Sequence, residues 1–230
     1  MRTVTVVGHR GDPYRVRENT LASIRSAFAR GADAVEIDVR LTWDGVPVLL
    51  HDETLRRLWR IDRPLAALTF AEVRERTGPE GVPTLYEALE AAAPHRVMID
   101  LPGATEAAVR TIVGGVRECD ADDRVYYCSA APAMLLVRAA APAAELALTW
   151  TTLAPAAPAL LEALAPRWLN YRFGLVSAEL SDRVHRDGLL VSAWTPDTRR
   201  SMRRLIGNGV DSITTNRVDT LTSVLTGART

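Results

Sequence analysis

The chain has 230 residues, 47% of them hydrophobic, and its 28 Lys+Arg balance 28 Asp+Glu. This length and apolar share suit one large α/β domain with a sizeable core. Zero net charge excludes a global field that would draw the chain onto nucleic acid or an anionic membrane surface, so an anionic substrate must be met by local groups.

The chain opens on MRTVTVVGHRGD, whose β-branched run at 4–9 predicts a strand. That run breaks at Gly8-His9-Arg10, short of the stretch a signal peptide needs, and no window of about 18 apolar residues follows to span a bilayer. A cytoplasmic protein is expected. Glu18-Asn19-Thr20 opens a helical pattern that runs to about Arg30 and stops at Gly31. The runs AVEIDVR (34–40) and VPVLLHD (46–52) come next, joined only by Leu41-Thr42-Trp43-Asp44-Gly45. Parallel neighbours need a crossover of a dozen or more residues, and Asp-Gly favours a hairpin turn. The run at 46–52 is therefore expected to be an antiparallel extension outside the main series.

Thr69 with Glu72 reads as a capping box, and Pro83-Thr84 with Glu87 opens a helix to about Ala93. Strands are then predicted at 96–101, 124–129, 145–150, 167–171, 189–194 and 210–216. Helices are predicted near 105–118, 132–141, 155–165, 177–187, 197–208 and 217–226. Within 130–166, rich in Ala and Pro, the prolines fall at helix starts, which predicts packed helix rather than linker. Cys119 and Cys128 lack metal-finger spacing and are expected to be reduced and structural. With 46–52 set aside, eight β units remain, each followed by a helix. This is the rhythm of a (β/α)8 TIM-type barrel in the α/β class, one domain over 1–230, with a β-hairpin-containing insertion after the second strand at about 41–82. The alternative is an open doubly wound sheet, whose Gly-x-Gly-x-x-Gly fingerprint is absent after the first strand.

Polar residues fall where such a barrel does chemistry, at the C-terminal ends of strands. His9 ends the first run and His51 the hairpin strand. Glu36 and Asp38 lie two apart and share one face, with Val35, Ile37 and Val39 on the other, and Asp100 sits late in RVMIDL. Carboxylates in a core strand are costly unless they are paired or bind a cation. Structural salt bridges to Arg10 or Arg40 are one reading. A divalent-metal site is the other, and an all-oxygen donor set suits Mg²⁺ or Ca²⁺ rather than Zn²⁺. Two histidines beside these acids would supply the general acid and general base that phosphodiester cleavage needs near neutral pH. Arg10 would donate to phosphate as a fork or pair with Glu36. Trp194, ending its run, is either substrate wall or core, and Asn19 a helix cap. His95 is expected in solvent at the opposite end, and His185 in the last turn of a helix.

The motifs His9-Arg10-Gly11, Glu18-Asn19-Thr20, Glu36-Ile37-Asp38-Val39, Thr42-x-Asp44-Gly45 and Val48-x-x-His51-Asp52 resemble, in order and spacing, the glycerophosphodiester phosphodiesterase family. Pro83-Thr84-Leu85-x-Glu87, Ala193-Trp194-Thr195 and 209–215 are similar to its later landmarks. The resemblance implies a TIM-type barrel and hydrolysis of a small-molecule phosphodiester to glycerol 3-phosphate and an alcohol. It implies His9 and His51 as the acid–base pair, and Glu36, Asp38 and Asp100 as ligands of a divalent metal (Mg²⁺ or Ca²⁺, with Mn²⁺ a third choice). It also implies Arg10 and Trp194 against the substrate. The chain departs from the family pattern with Asp100 for Glu, Pro102 for Lys, Ala130 for an aromatic and Asn216 for Asp. Lysophospholipids as substrates, with an apolar rim groove near Trp43, Leu58 and Trp59, and a barrel that binds without turnover are the competing readings.

Overall fold

The computed structural model describes residues 4–227. In chain order these form β1 (Thr5–His9), α1 (Leu21–Ala29), β2 (Ala34–Leu41), β3 (Pro47–Leu49), α2 (Arg56–Trp59), α3 (Phe70–Thr77), α4 (Leu85–Ala92), β4 (Arg96–Asp100) and α5 (Glu106–Glu118). They continue as β5 (Val125–Ser129), α6 (Ala131–Ala140), β6 (Glu145–Trp150), α7 (Pro158–Leu164), β7 (Trp168–Arg172), α8 (Ala178–Arg186), β8 (Leu190–Trp194), α9 (Arg199–Gly207), β9 (Ser212–Thr215) and α10 (Val218–Thr226). Eight strands pair in parallel around a closed ring, β1-β2-β4-β5-β6-β7-β8-β9, and β1–β9 closes it. β3 lies outside the ring, antiparallel to β2. The (β/α)8 barrel with a hairpin after its second strand is the architecture expected, and the open sheet is excluded by the closure.

Strand alternation explains the layering. Val35, Ile37 and Val39 of β2 point outward into the large apolar layer shared with the helices. The opposite face of the same strand carries Glu36 and Asp38, both buried. Val7, Ala34, Met98, Tyr126, Cys128, Ala147 and Trp168 pack the barrel interior, Met98 level with Glu36 and Cys128 with Asp100. Arg96 and Glu145 pair at 2.8 Å, and Trp168 Nε1 donates to Glu145 at 2.7 Å among these residues. Hydroxyl caps at Thr20, Thr105, Ser177 and Thr198 start the helices that follow four rim loops.

The insertion has its own apolar cluster, Val48, Leu50, Leu55, Leu65, Leu68, Val73 and Val82. Asp44-Gly45 makes the hairpin tip, where Asp44 Oδ1 accepts from Thr42 Oγ1 and from Phe70 N. The predicted strand at 46–52 is shorter than expected. Its ladder with β2 ends at Leu49, and the chain turns so that Leu50 N bonds Asp38 O at 3.0 Å. His51 therefore stands in the bend beyond a strand rather than at a strand end.

Candidate active site

The site starts from a tight turn after β1. Arg10 takes φ 55° and Gly11 φ 86°, so the chain reverses within two residues. A Cβ on Gly11 would lie 2.6 Å from the Ser23 carbonyl carbon, so glycine is required there. Ser23 Oγ donates to Arg10 O and accepts from Asp12 N, pinning the turn to α1. The pinned turn aims Arg10 N–H at Glu36 Oε2, 2.9 Å away, and leaves His9 at the rim.

Strand register brings the acids abreast: His9 is level with Glu36, and Asp38 with Asp100. Carboxylate oxygens of Glu36, Asp38 and Asp100 all lie within 4.8 Å of one another. Burial, then the charges of Asp38 and Asp100, push the Glu36 carboxyl well above its ordinary range. Burial and the Asp38 charge push Asp100 up to about 6. The Arg10 guanidinium, the one such group lining the cavity among the described residues, offsets part of the rise at Glu36. Its Nη1 donates to Glu18 at 2.8 Å, and its Nε lies 3.1 Å from Asp38 Oδ2 as an ion pair without hydrogen-bond geometry. The expected Arg10–Glu36 pair is thus made by the backbone N–H, while the guanidinium turns to Asp38 and Glu18. A buried, mutually repelling, all-oxygen donor set fits a hard divalent cation, whose charge would relieve the crowding.

That crowding has a measurable consequence. In folded, metal-free protein Asp100 holds a proton that the unfolded chain releases near pH 4. The stability tied to it is present at low pH and lost as pH rises through about 6. Asp100→Asn, which stays neutral, is expected to match wild type near pH 4 in chelator. It should then gain on it up to about pH 6, by on the order of 2–3 kcal/mol. Thermal melts at stepped pH check this; a gap that does not grow with pH contradicts it.

The two histidines have different partners. His9 Nδ1 lies 2.7 Å from Asn216 Oδ1, and its Nε2 lies 3.9 Å from Glu36 Oε2. Asn216 Nδ2 donates to Asp197 Oδ2 and its backbone N to Asp197 Oδ1, which fixes the amide with its oxygen toward His9. Burial and the Arg10 charge push the His9 pKa down, opposed by the Asn216 bond. His51 Nδ1 instead meets a carboxylate, Asp52 Oδ1, at 2.8 Å, and Arg40 Nε bonds the His51 carbonyl oxygen at 2.9 Å.

His9, Arg10, Glu36, Asp38, His51, Asp100 and Trp194 line one cavity of about 250 Å³, to which every barrel strand contributes. Its far side holds Cys128, Thr149, Asn170 and Thr214. Asn170 Nδ2 donates to Cys128 Sγ at 3.0 Å. Asn170 Oδ1, Thr214 Oγ1 and Trp194 Nε1 are buried with no hydrogen-bond partner among the described residues. Both cysteines are free thiols.

Other expectations fall elsewhere. Asn19 is not the cap; Thr20 is. Asn19, at φ 53°, brackets Asp38, donating to Oδ2 at 2.8 Å and accepting from its backbone N at 3.2 Å. Arg15 pairs with Asp219, and Arg17 stacks on Trp59. Trp43 and Trp59 line two separate grooves, so the single apolar rim groove does not form. Pro102 lies in the Trp43 groove, outside the central cavity. His95 is exposed and stacked on Phe28, and His185 pairs with Asp211 at 2.7 Å. Glu18 and Asp52 stand in the sequence motifs without a role and Arg57 outside them, because the contacts that join the three depend on how the insertion folds back.

The model of the glycerophosphoryl diester phosphodiesterase family matches residues 9–220. A glycerophosphodiester phosphodiesterase of Caldanaerobacter subterraneus subsp. tengcongensis is 30% identical, with 98% of each chain covered. Among solved structures, an Oleispira antarctica phosphodiesterase in complex with the product sn-glycerol-3-phosphate superposes with TM-score 0.91 at 24% identity, covering 96% of each chain. A glycerophosphodiester phosphodiesterase from Thermotoga maritima superposes with TM-score 0.84 at 22% identity, covering 97% of this chain and 99% of that one. At these identities the structures show a shared fold. No described helix is long and apolar enough to cross a membrane.

Proposed function

The chain belongs to the glycerophosphoryl diester phosphodiesterase family, whose members are hydrolases, and from that premise we propose that it cleaves glycerophosphodiesters to glycerol 3-phosphate and an alcohol. One observation carries this reading: two histidines, three carboxylates and an arginine converge on a single cavity at the barrel rim. In this reading the barrel and the insertion at about 41–82 work as one catalytic domain.

Glu36, Asp38 and Asp100 would hold a divalent cation, Mg²⁺ or Ca²⁺ by donor type, with Mn²⁺ a third choice. When bound, such a cation supplies Lewis-acid neutralisation of phosphoryl charge. Arg10, anchored by Glu18 and Asp38, adds a fixed positive charge beside the phosphate. The histidine roles follow from their partners. The Asn216 oxygen can only accept, so His9 Nδ1 carries its hydrogen and Nε2 offers a lone pair. Burial and the adjacent Arg10 charge keep His9 uncharged, and it serves as general base. The Asp52 carboxylate at His51 Nδ1 orients the ring, and His51 serves as general acid toward the leaving alcohol. His9 takes a proton at Nε2 as the attacking oxygen approaches phosphorus, and His51 returns one from Nε2 as the ester oxygen departs. The unpartnered atoms of Asn170, Thr214 and Trp194 give the far side spare hydrogen-bonding capacity, suited to a hydroxylated moiety such as glycerol.

The test is a turnover panel of glycerophosphocholine, glycerophosphoglycerol and lysophosphatidylcholine, with Mg²⁺, Ca²⁺ or Mn²⁺ and with chelator. Release of glycerol 3-phosphate from the water-soluble diesters is expected. Choline release from lysolipid alone would replace the substrate assignment, and silence across the panel would remove the activity.

A further inference from the structure

Arg57 is carried by α2, the four-residue helix of the insertion. It does not line the cavity, yet it touches partners of two groups that do. Its Nε donates to Asp52 Oδ2 at 2.6 Å, and the other oxygen of that carboxylate meets His51 Nδ1 at 2.8 Å. Its Nη1 and Nη2 donate to Glu18 at 3.0 and 2.6 Å, and Glu18 Oε1 in turn accepts from Arg10 Nη1 at 2.8 Å. One guanidinium therefore closes a continuous chain: His51, Asp52, Arg57, Glu18, Arg10, Asp38. The first half comes from the insertion and the second from the barrel.

We propose that Arg57 is a positioning residue for catalysis, holding His51 in the orientation and Arg10 at the position that the cavity requires. The proposal rests on the roles given above to His51 and Arg10. Physical chemistry supports a role in alignment rather than stability. The Arg57 side chain is 46% exposed, and exposed ion pairs contribute little to folding. Its value lies in geometry: a planar fork satisfies two carboxylates at once in fixed directions, which a lysine ammonium cannot copy. It lowers the pKa of both carboxylates. The Arg57 hydrogen bond keeps Asp52 at about 2, and hydrogen bonds from Arg57, with the Arg10 charge, overcome the burial that would raise Glu18. Without Arg57 each acid keeps one partner and loses the contact that sets its direction. His51 is otherwise held by the Arg40 bond to its backbone oxygen, which leaves the ring free to turn.

The experiment compares Arg57→Gln, Arg57→Lys and Arg56→Gln with wild type on glycerophosphocholine, measuring kcat and KM separately and confirming the fold by melting. Arg56 is the control: it sits on the same helix with its side chain 74% exposed and, among the described residues, paired only with Asp62 at 4.0 Å. Arg57→Gln is expected to lower kcat by roughly 10- to 100-fold with Tm nearly unchanged, consistent with the cost of misplacing a catalytic group. Arg57→Lys should recover part of the loss, and Arg56→Gln should match wild type. In an Asp52→Asn background, Arg57→Gln should cost less, because the route to His51 is already cut and only the route through Glu18 to Arg10 is left. A kcat for Arg57→Gln within twofold of wild type, or an undiminished effect in the Asp52→Asn background, overturns the proposal. His51→Ala is run alongside. If it too is active, the catalytic assignment of His51 has failed; if it is inactive while Arg57→Gln is not, only the proposal about Arg57 has failed.

Discussion

Replacing either His9 or His51 with alanine is expected to lower kcat by roughly 10²- to 10⁴-fold while the protein stays folded, the range for loss of a general acid or base. The two losses should differ in character. His9 is 21% exposed, hydrogen-bonded to Asn216 and close to Glu36, so its removal takes out the proposed base and opens space beside the three acids. His51 is 43% exposed and lies in a bend whose backbone is held by Arg40 and by Leu50 N on Asp38 O, so truncation there should leave the cavity wall in place. If His51 protonates the leaving alcohol, an aryl diester with a good leaving group should depend on it far less than a glycerophosphodiester does. His9→Ala should impair both substrates alike. Steady-state kinetics on the two substrate types measure this, and equal sensitivity in both variants would reverse or dissolve the assigned roles.

The second large effect is expected at the acids. Asp38→Asn should weaken binding of Mg²⁺ or Mn²⁺ by at least about 100-fold, and Asn19→Ala by roughly 10- to 100-fold, the cost typical of losing an orienting partner. Asp38 is 1% exposed and its oxygens face Asn19 Nδ2, Arg10 Nε and the neighbouring carboxylates. An amide in its place turns an NH₂ group toward at least one of these and removes an anionic oxygen. Calorimetric titration of the metal into chelated protein is the readout. Unchanged affinity in Asp38→Asn would make the three acids a structural cluster.

The fold and the convergence of the candidate site residues were legible in the sequence for the same reason: local period. Alternation placed Glu36 and Asp38 on one face of β2, and the short Asp-Gly link set β3 outside the ring. His9, Asp100 and Trp194 could be placed because strand ends define the rim. What escaped was whatever depends on long-range closure. Asn19 meets Asp38 across 19 positions, and Arg57 meets Glu18 across 39. Neither separation leaves a periodic trace, and α2 is too short to have a helical period of its own. The grouping of Trp43 with Trp59 failed for a related reason. Both belong to the insertion, but its private core turns them toward different grooves. Asn216 shows the converse. It is legible as a departure from the family pattern, but its consequence, a fixed neutral acceptor for His9, needs Asp197 in view.

The most direct measurement strips the protein with chelator, returns metal in steps, and follows bound metal and glycerol 3-phosphate release from a glycerophosphodiester in the same samples. No turnover in chelator, recovery that saturates with one bound ion per chain, and loss of both signals in Asp38→Asn are predicted. Full turnover in chelator, or metal bound at the acids with no product from any glycerophosphodiester, would contradict the account.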